Sequence, residues 1–326
     1  MKVLLTGSKG FIGKNLLKKF KKLKWHVWEI NVDESTNEAP EYAHLENIIK
    51  QCDGIFHVGA ISDTTLHDCN KMLYYNYTLS KDIFDLARKY DKKVVYSSSA
   101  ATYGLGDDLP TNIYGWSKKL AEEYGLKACE KFVALRYFNV YGPGEQHKGK
   151  MASVAYQAYQ RGSFTLFPKK PLRDFVYIDD VVEANLAAFK LDRGIFDVGY
   201  GEPALFEDLV SGMGIKYDYT TKDKIPSWYQ YYTCANKNIR IPGWKPKYNV
   251  ESGTKFYINN ALGTPNIPAG TWPAMNNLRV TPFNGIMDDL KVYNRVLTAS
   301  EVSTLYGDNP SKYNVIKART GNQDMS

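Results

Sequence analysis

The sequence predicts an α/β fold: a doubly wound parallel sheet, a small C-terminal substrate-binding lobe and a short β-rich tail. Three observations predict it. Strand-like and helix-like segments alternate through residues 1–140, a glycine-rich turn joins the first strand to the first helix, and the composition shifts after 140 to Gly- and Pro-rich connections. Lys2–Leu5 is a short apolar run ended by Thr6 and Gly7, and Gly10–Phe20 repeats apolar residues at helical spacing. Further strands fit His26–Ile30, Gly54–Val58, Lys93–Ser97 and Phe132–Arg136, with helices expected over Tyr75–Tyr90 and Trp116–Ala128. From 141 to 263 the elements shorten to segments such as Met151–Arg161 and Asp179–Leu191, and Val250–Leu262 reads as the last helix of this lobe, which interleaves with the sheet domain. The remainder, 264–326, holds a Pro/Gly/Asn-rich segment to Asn277, strand-like Leu278–Val280 and Leu290–Tyr293, and a capping box from Thr298 to Glu301.

With 326 residues, 44% hydrophobic and 24% charged, the chain has the composition of a packed globular protein. Its formal charge of +7 is concentrated along Lys14–Lys24, where a solvated helix face explains it without nucleic acid. Cys52, Cys69, Cys129 and Cys234 are scattered, without a CxxC pair or a His at ligand spacing, so neither a structural metal nor a disulfide framework is expected. The N-terminus enters a strand at once and no run of 18 apolar residues occurs, so a cytoplasmic protein with no membrane partner is expected.

Thr6-Gly7-Ser8-Lys9-Gly10-Phe11-Ile12-Gly13 spaces three glycines at the strand-to-helix turn, where backbone approaches a pyrophosphate and free helix N–H groups face it. Glu29, 22 residues past Gly7, is placed to accept hydrogen bonds from the adenosine ribose, which completes a Rossmann-like dinucleotide site. A carboxylate there argues for NAD, whereas Lys9 and Asn31 offset its charge, so the choice between NADP and NAD stays open. Tyr114 and Lys118 lie one helical turn apart and share a face, close in sequence to Ser97-Ser98-Ser99 at a strand end. An ammonium beside a phenol stabilises the phenolate, and lowering its pKa by about 3 units corresponds to about 4 kcal/mol. Tyr114 then exchanges a proton with a substrate hydroxyl while hydride moves to a nicotinamide.

The glycine turn, Ser99-Ala100-Ala101-Thr102-Tyr103-Gly104, the Tyr114/Lys118 pair and Arg136-Tyr137-Phe138-Asn139-Val140-Tyr141-Gly142-Pro143 together resemble the extended short-chain dehydrogenases of the NAD-dependent epimerase/dehydratase family. Within it, His57-Val58-Gly59-Ala60, Thr64-Thr65, Gln146-His147-Lys148-Gly149, Met151-Ala152-Ser153-Val154-Ala155 and Arg173-Asp174-Phe175-Val176-Tyr177 resemble the ADP-L-glycero-D-manno-heptose 6-epimerases. The similarity covers residues 1–262. It implies oxidation of the sugar to a ketone with return of hydride to the opposite face, on a nucleotide sugar destined for lipopolysaccharide. Tyr114 and Lys148 match the two acid/bases, Ser99 the hydroxyl that holds the reacting oxygen, and Lys118 the residue that tunes the Tyr and binds the nicotinamide ribose. Carried over likewise, the cofactor contacts are Gly7, Gly10, Phe11, Ile12, Gly13, Glu29, Asn31, Val58, Gly59, Ala60, Ser62, Asn76, Lys118, Val140 and Lys148. The substrate contacts are Ser99, Asn139, Lys150, Gln157, Arg173 and Tyr229; an Arg fork suits a diphosphate. A homo-oligomer is expected.

The chain departs from that pattern at Lys150 and Gln157, which replace a Ser and a His, and in shorter segments between Asn31 and Gln51 and between Gly104 and Tyr114. Both departures border the adenosine and sugar sites and leave the particular sugar open. A 4-epimerase and a ketosugar reductase are same-fold alternatives; a 4,6-dehydratase is disfavoured because Ala100 and Ala101 stand where it needs an acidic pair. The tail from Phe283 to Val302 resembles part of a laminin-G-like, concanavalin-type jelly roll, which raises a contrasting reading: a carbohydrate-binding protein on a non-catalytic dinucleotide fold.

Overall fold

The computed structural model describes residues 1–32, 41–106, 109–168, 170–221, 225 and 229–259. The described residues fall within one compact unit, Met1–Asn266; the expected lectin-like tail falls outside the described residues.

Continuous apolar runs form the strands. Val3, Leu4 and Leu5 of β1 (Lys2–Thr6) are all fully buried, as a parallel strand covered on both faces requires. There follow α1 (Phe11–Lys22), β2 (His26–Ile30), α2 (Tyr42–Gln51), β3 (Gly54–His57), α3 (Cys69–Leu73), a π-helical turn (Tyr74–Thr78), α4 (Leu79–Lys89), β4 (Lys93–Ser99), α5 (Ile113–Ala128) and β5 (Phe132–Tyr137). Beyond these lie β6 (Asn139–Tyr141), α6 (Val154–Arg161), β7 (Ser163–Leu166), β8 (Leu172–Arg173), β9 (Phe175–Tyr177), α7 (Ile178–Ala188), β10 (Arg193–Val198), β11 (Ala204–Leu205), α8 (Phe206–Gly212), β12 (Lys216–Tyr219) and α9 (Val250–Tyr257).

The central sheet has six strands in the order β10-β5-β4-β3-β1-β2, and each pairing is parallel. One core takes Val3 and Leu5 from β1 with Phe11, Leu16 and Phe20 from α1; the other takes Leu4 with Leu45, Ile48 and Ile49 from α2. Every second strand residue thus enters the same layer, the period-two rule made visible on both faces. Lys14, Lys18, Lys21 and Lys22 stay exposed on α1.

Three features differ from the sequence expectation. Helix α2 was not expected at all. The helix expected over Tyr75–Tyr90 is instead α3, the π turn and α4, because the π geometry inserts an extra residue around Asn76. The sheet also does not end with β5: β10, far along the chain, pairs with it from Arg193↔Phe132 to Val198↔Tyr137. No described helix is long and apolar enough to cross a membrane. Among the described residues no group of three or more His, Cys, Asp or Glu is arranged to hold a metal ion.

Candidate active site

The C-terminal edge of the parallel sheet collects the chemistry-bearing segments, as the switch-point rule for such sheets requires. At β1 the chain leaves through Gly7, whose φ of +70° is left-handed and whose added Cβ would lie 2.6 Å from the Gly59 Cα. A Cβ on Gly13 would lie 2.0 Å from the Gly7 carbonyl oxygen, so α1 starts in direct backbone contact with the turn. α1 has no side-chain cap and no acidic residue in its first turn, which leaves the positive end of its dipole for an anion. These residues fit a dinucleotide diphosphate.

Thr6 fastens this turn to the loop after β3: its Oγ1 accepts from Val58 N at 3.1 Å and Gly59 N at 3.0 Å. His57 completes the post, with Nδ1 2.7 Å from Thr6 Oγ1 and Nε2 2.8 Å from Ser80 Oγ. Ser80 Oγ itself donates to the Asn76 carbonyl at 2.7 Å, so its oxygen accepts from Nε2–H and Thr6 donates to Nδ1. Burial pushes the imidazole down to about 3, and it is neutral.

Asn31, just past β2, lies against the turn: its Oδ1 accepts from Lys9 N at 2.9 Å and its Nδ2 donates to Ser8 Oγ at 2.9 Å. Glu29 sits inside β2 opposite Leu5 with an exposed side chain. The side chain hydrogen-bonded to the glycine turn is the neutral Asn31.

Ser99 ends β4, and its side chain accepts from Ala101 N at 3.1 Å. Asn112 caps α5 by accepting from Gly115 N at 2.8 Å, which sets Tyr114 in the first turn and Lys118 one turn later. Gly115 allows the approach of this helix, since a Cβ there would meet the Ala101 carbonyl at 2.7 Å. The Ser99 hydroxyl acts on the Tyr114 phenol, opposing the rise in its pKa that burial causes, as the spacing rules alone did not reveal. Lys118 is 3% exposed; its Nζ donates to the Ser97 carbonyl at 2.8 Å and lies 5.0 Å from the Tyr96 ring centroid.

The electrostatics differ from the expected ammonium-phenolate pair. Burial raises the Tyr114 phenol, an effect the Ser99 bond opposes, and burial lowers Lys118 to about 7. Lys118 is buried and Tyr114 is half-buried, so each favours its neutral form and Lys118 does not supply a full charge to the phenol.

Asn76, expected at the cofactor, is 1% exposed. Its Oδ1 accepts from Ile61 N at 2.8 Å, and its Nδ2 donates to Ile61 O at 2.9 Å and Ser117 Oγ at 3.0 Å. It thus joins the loop after β3, which carries Val58, Gly59, Ala60 and the exposed Ser62, to the helix of Tyr114 and Lys118.

Lys148 lies in a 3₁₀ turn over Gln146–Met151, with its Nζ 5.7 Å from the Phe11 ring centroid at the start of α1. Burial lowers its pKa and Glu145 opposes that shift. Val140 and Asn139 belong to β6, and Asn139 N donates to the Asp174 carbonyl at 2.9 Å. Arg173, 6% exposed, stacks 4.9 Å from the Tyr229 ring and donates to the carbonyls of Leu172 and Gln230. It makes no ion pair with a described residue, so its charge is available to an anion. Gln230 in turn donates to the Gly104 carbonyl, bringing the Arg173–Tyr229 pair beside the Ser99–Gly104 turn. Lys150 is exposed, 3.7 Å from Asp63, whereas the Gln157 amide donates to the carbonyls of Lys150 at 3.1 Å and Ala152 at 2.8 Å. Gln157 therefore holds the loop rather than offering its amide outward.

Sequence reasoning passed over Thr6, the neutral His57 post and the buried Glu145. A polar residue inside a quoted motif, such as His57 in His57-Val58-Gly59-Ala60, was the available signal.

The model of the NAD dependent epimerase/dehydratase family matches residues 3–199. An ADP-L-glycero-D-manno-heptose-6-epimerase of Brachyspira hyodysenteriae is 31% identical over 307 residues, covering 78% of this chain and 96% of that protein. The crystal structure of the Helicobacter pylori ADP-L-glycero-D-manno-heptose-6-epimerase superposes with a TM-score of 0.68 at 30% identity, covering 79% of this chain and 95% of that one. A UDP-glucose 4-epimerase of Thermotoga maritima shares the fold, with a TM-score of 0.68 at 23% identity over 79% of this chain and 98% of that one.

Proposed function

This chain belongs to the NAD-dependent epimerase/dehydratase family and is a nucleotide-sugar epimerase, and we propose that its substrate is ADP-glyceromanno-heptose, inverted at C6. The observation that carries the reading is the chain of hydrogen bonds that ties the helix of Tyr114 and Lys118, through Asn76 and the loop after β3, to a glycine turn that fits a diphosphate. Residues 1–140 together with β10 form the cofactor domain, and most of 141–263 forms the sugar lobe.

When bound, the nicotinamide supplies hydride transfer in both directions. Ser99 and Tyr114 hold the reacting hydroxyl, and Tyr114 takes or returns its proton on one face. Lys148 performs the same exchange on the other face after the ketone has turned over. Lys118, anchored on Ser97, fixes the nicotinamide ribose, and Arg173 with Tyr229 grips the substrate diphosphate.

NADP is the cofactor in this reading, with NAD the alternative: Asn31 carries no charge to repel a 2′-phosphate, and Lys9 adjoins it. The enzyme assembles as a homo-oligomer, for which the exposed Trp116 and Leu120 on α5 offer apolar surface. Incubating the full chain with NADP and ADP-D-glycero-D-manno-heptose, with UDP-glucose as a parallel substrate, should yield the L-glycero epimer. A folded, cofactor-loaded enzyme that leaves the heptose unchanged refutes the substrate assignment, and turnover of UDP-glucose instead assigns a 4-epimerase.

A further inference from the structure

We propose that Glu145 is a positioning residue for Lys148: its buried carboxylate closes the 142–153 loop and holds the Lys148 turn against the start of α1. This rests on the reading of Lys148 as the second acid/base. The Glu145 side chain is fully buried, and four donors converge on it. Oε1 accepts from Gly142 N at 3.2 Å, Ser153 Oγ at 2.8 Å and Tyr257 OH at 3.1 Å, while Oε2 accepts from Ser153 N at 2.5 Å. Burial raises the Glu145 carboxyl above its ordinary value, and the bonds from Ser153 and Gly142 together with the Lys148 charge oppose that shift; an ionised carboxylate, an acceptor at both oxygens, meets all four donors.

The placement of the donors gives the carboxylate its function. Gly142 and Ser153 are the two ends of the loop, Tyr257 belongs to α9, and the Glu145 carbonyl accepts from Lys148 N at 3.0 Å. One side chain therefore ties both ends of the loop to the last described helix, with Lys148 between them. The loop has little regular structure of its own to do this: Gly149 adopts φ +51° and breaks the 3₁₀ turn. Ser153 also caps α6, accepting from Tyr156 N at 3.1 Å, so the clamp continues into a helix.

The charged and titratable groups about Lys148 are Glu145 from its own loop, the adjoining His147, and Lys14 of α1, whose Nζ is 3.4 Å from His147 Nδ1. Glu145 is the one negative group among them, and it opposes the loss of the Lys148 proton that burial favours. Tyr257 from α9 and Ser153 from α6 face Glu145 as donors.

The test compares pH profiles of kcat for NADP-loaded wild type, Glu145→Gln and Lys148→Met, with ADP-D-glycero-D-manno-heptose as substrate. Glu145→Gln keeps the shape but removes the charge and turns an amide N–H toward an existing donor. Its kcat should fall about tenfold or more, and the limb governed by Lys148 should move to lower pH by on the order of one unit. A fall in kcat with that limb unmoved shows support of the fold alone and overturns the proposal, as does an unchanged profile. Should Glu145→Gln not fold, Ser153→Ala removes the Oγ donor and the α6 cap but no charge, and Ser153→Thr restores both; kcat should fall about fivefold in the first with the limb in place and recover in the second, and an unchanged kcat in Ser153→Ala or no recovery in Ser153→Thr overturns the proposal. Wild-type turnover by Lys148→Met would instead refute the second-base reading itself.

Discussion

Replacing Lys118 with methionine should stabilise the cofactor-free protein, and more so in acid than in alkali. The native side chain is 3% exposed, and burial takes its pKa from 10.5 to about 7. A base whose folded pKa is depressed binds fewer protons folded than unfolded, so stability rises with pH between about 7 and 10.5 and the whole cost is present below that window. A depression of this size costs about 5 kcal/mol in acid. At pH 9 the folded amine is already neutral while the unfolded one still holds its proton, and about 2 kcal/mol of the cost persists. Methionine fills a similar volume without titrating, and losing the bond to Ser97 costs about 1 kcal/mol at either pH. The gain in unfolding free energy from Lys118→Met should therefore be about 3 kcal/mol larger at pH 6 than at pH 9. Urea denaturation of both proteins at the two pH values measures it. An increment equal at both, or larger at pH 9, refutes the assignment of Lys118 as a buried, readily deprotonated amine.

Other perturbations probe the rest of the site. Tyr114→Phe should lower kcat at least about 10²-fold while isothermal titration finds cofactor affinity unchanged, and near-normal turnover would remove Tyr114 from the chemistry. Gly13→Ala places a methyl 2.0 Å from the Gly7 carbonyl; α1 must shift, and cofactor Kd should rise more than about tenfold, a loss above about 1.4 kcal/mol. Tight binding by that variant would mean the diphosphate lies elsewhere. Asn31→Asp adds a charge beside the glycine turn and should weaken NADP by about tenfold while sparing NAD; equal effects on both would show that Asn31 does not face the 2′ position.

The glycine turn and the Tyr114/Lys118 pair were legible because both are local. A tight strand-to-helix turn demands glycine within a few residues, and an i, i+4 pair shares a helix face wherever the helix packs. The strands were legible for the same reason: a two-face-buried strand such as Val3–Leu5 leaves an unbroken apolar run. Helix α2 was missed although Leu45, Ile48 and Ile49 carry its apolar stripe at helical spacing.

By itself the sequence determined the fold class, the glycine turn and the shared helix face of Tyr114 and Lys118, all consequences of spacing along the chain. Only the tertiary structure decided that β10 completes the sheet beside β5, and that the Asn31 side chain bonds the turn. It also decided that Lys118 is lowered to about 7 and that Glu145 clamps the Lys148 loop. These depend on burial and on contacts between distant segments. A side chain's desolvation and its hydrogen-bond partners are set by what the rest of the chain packs around it, which no local spacing records.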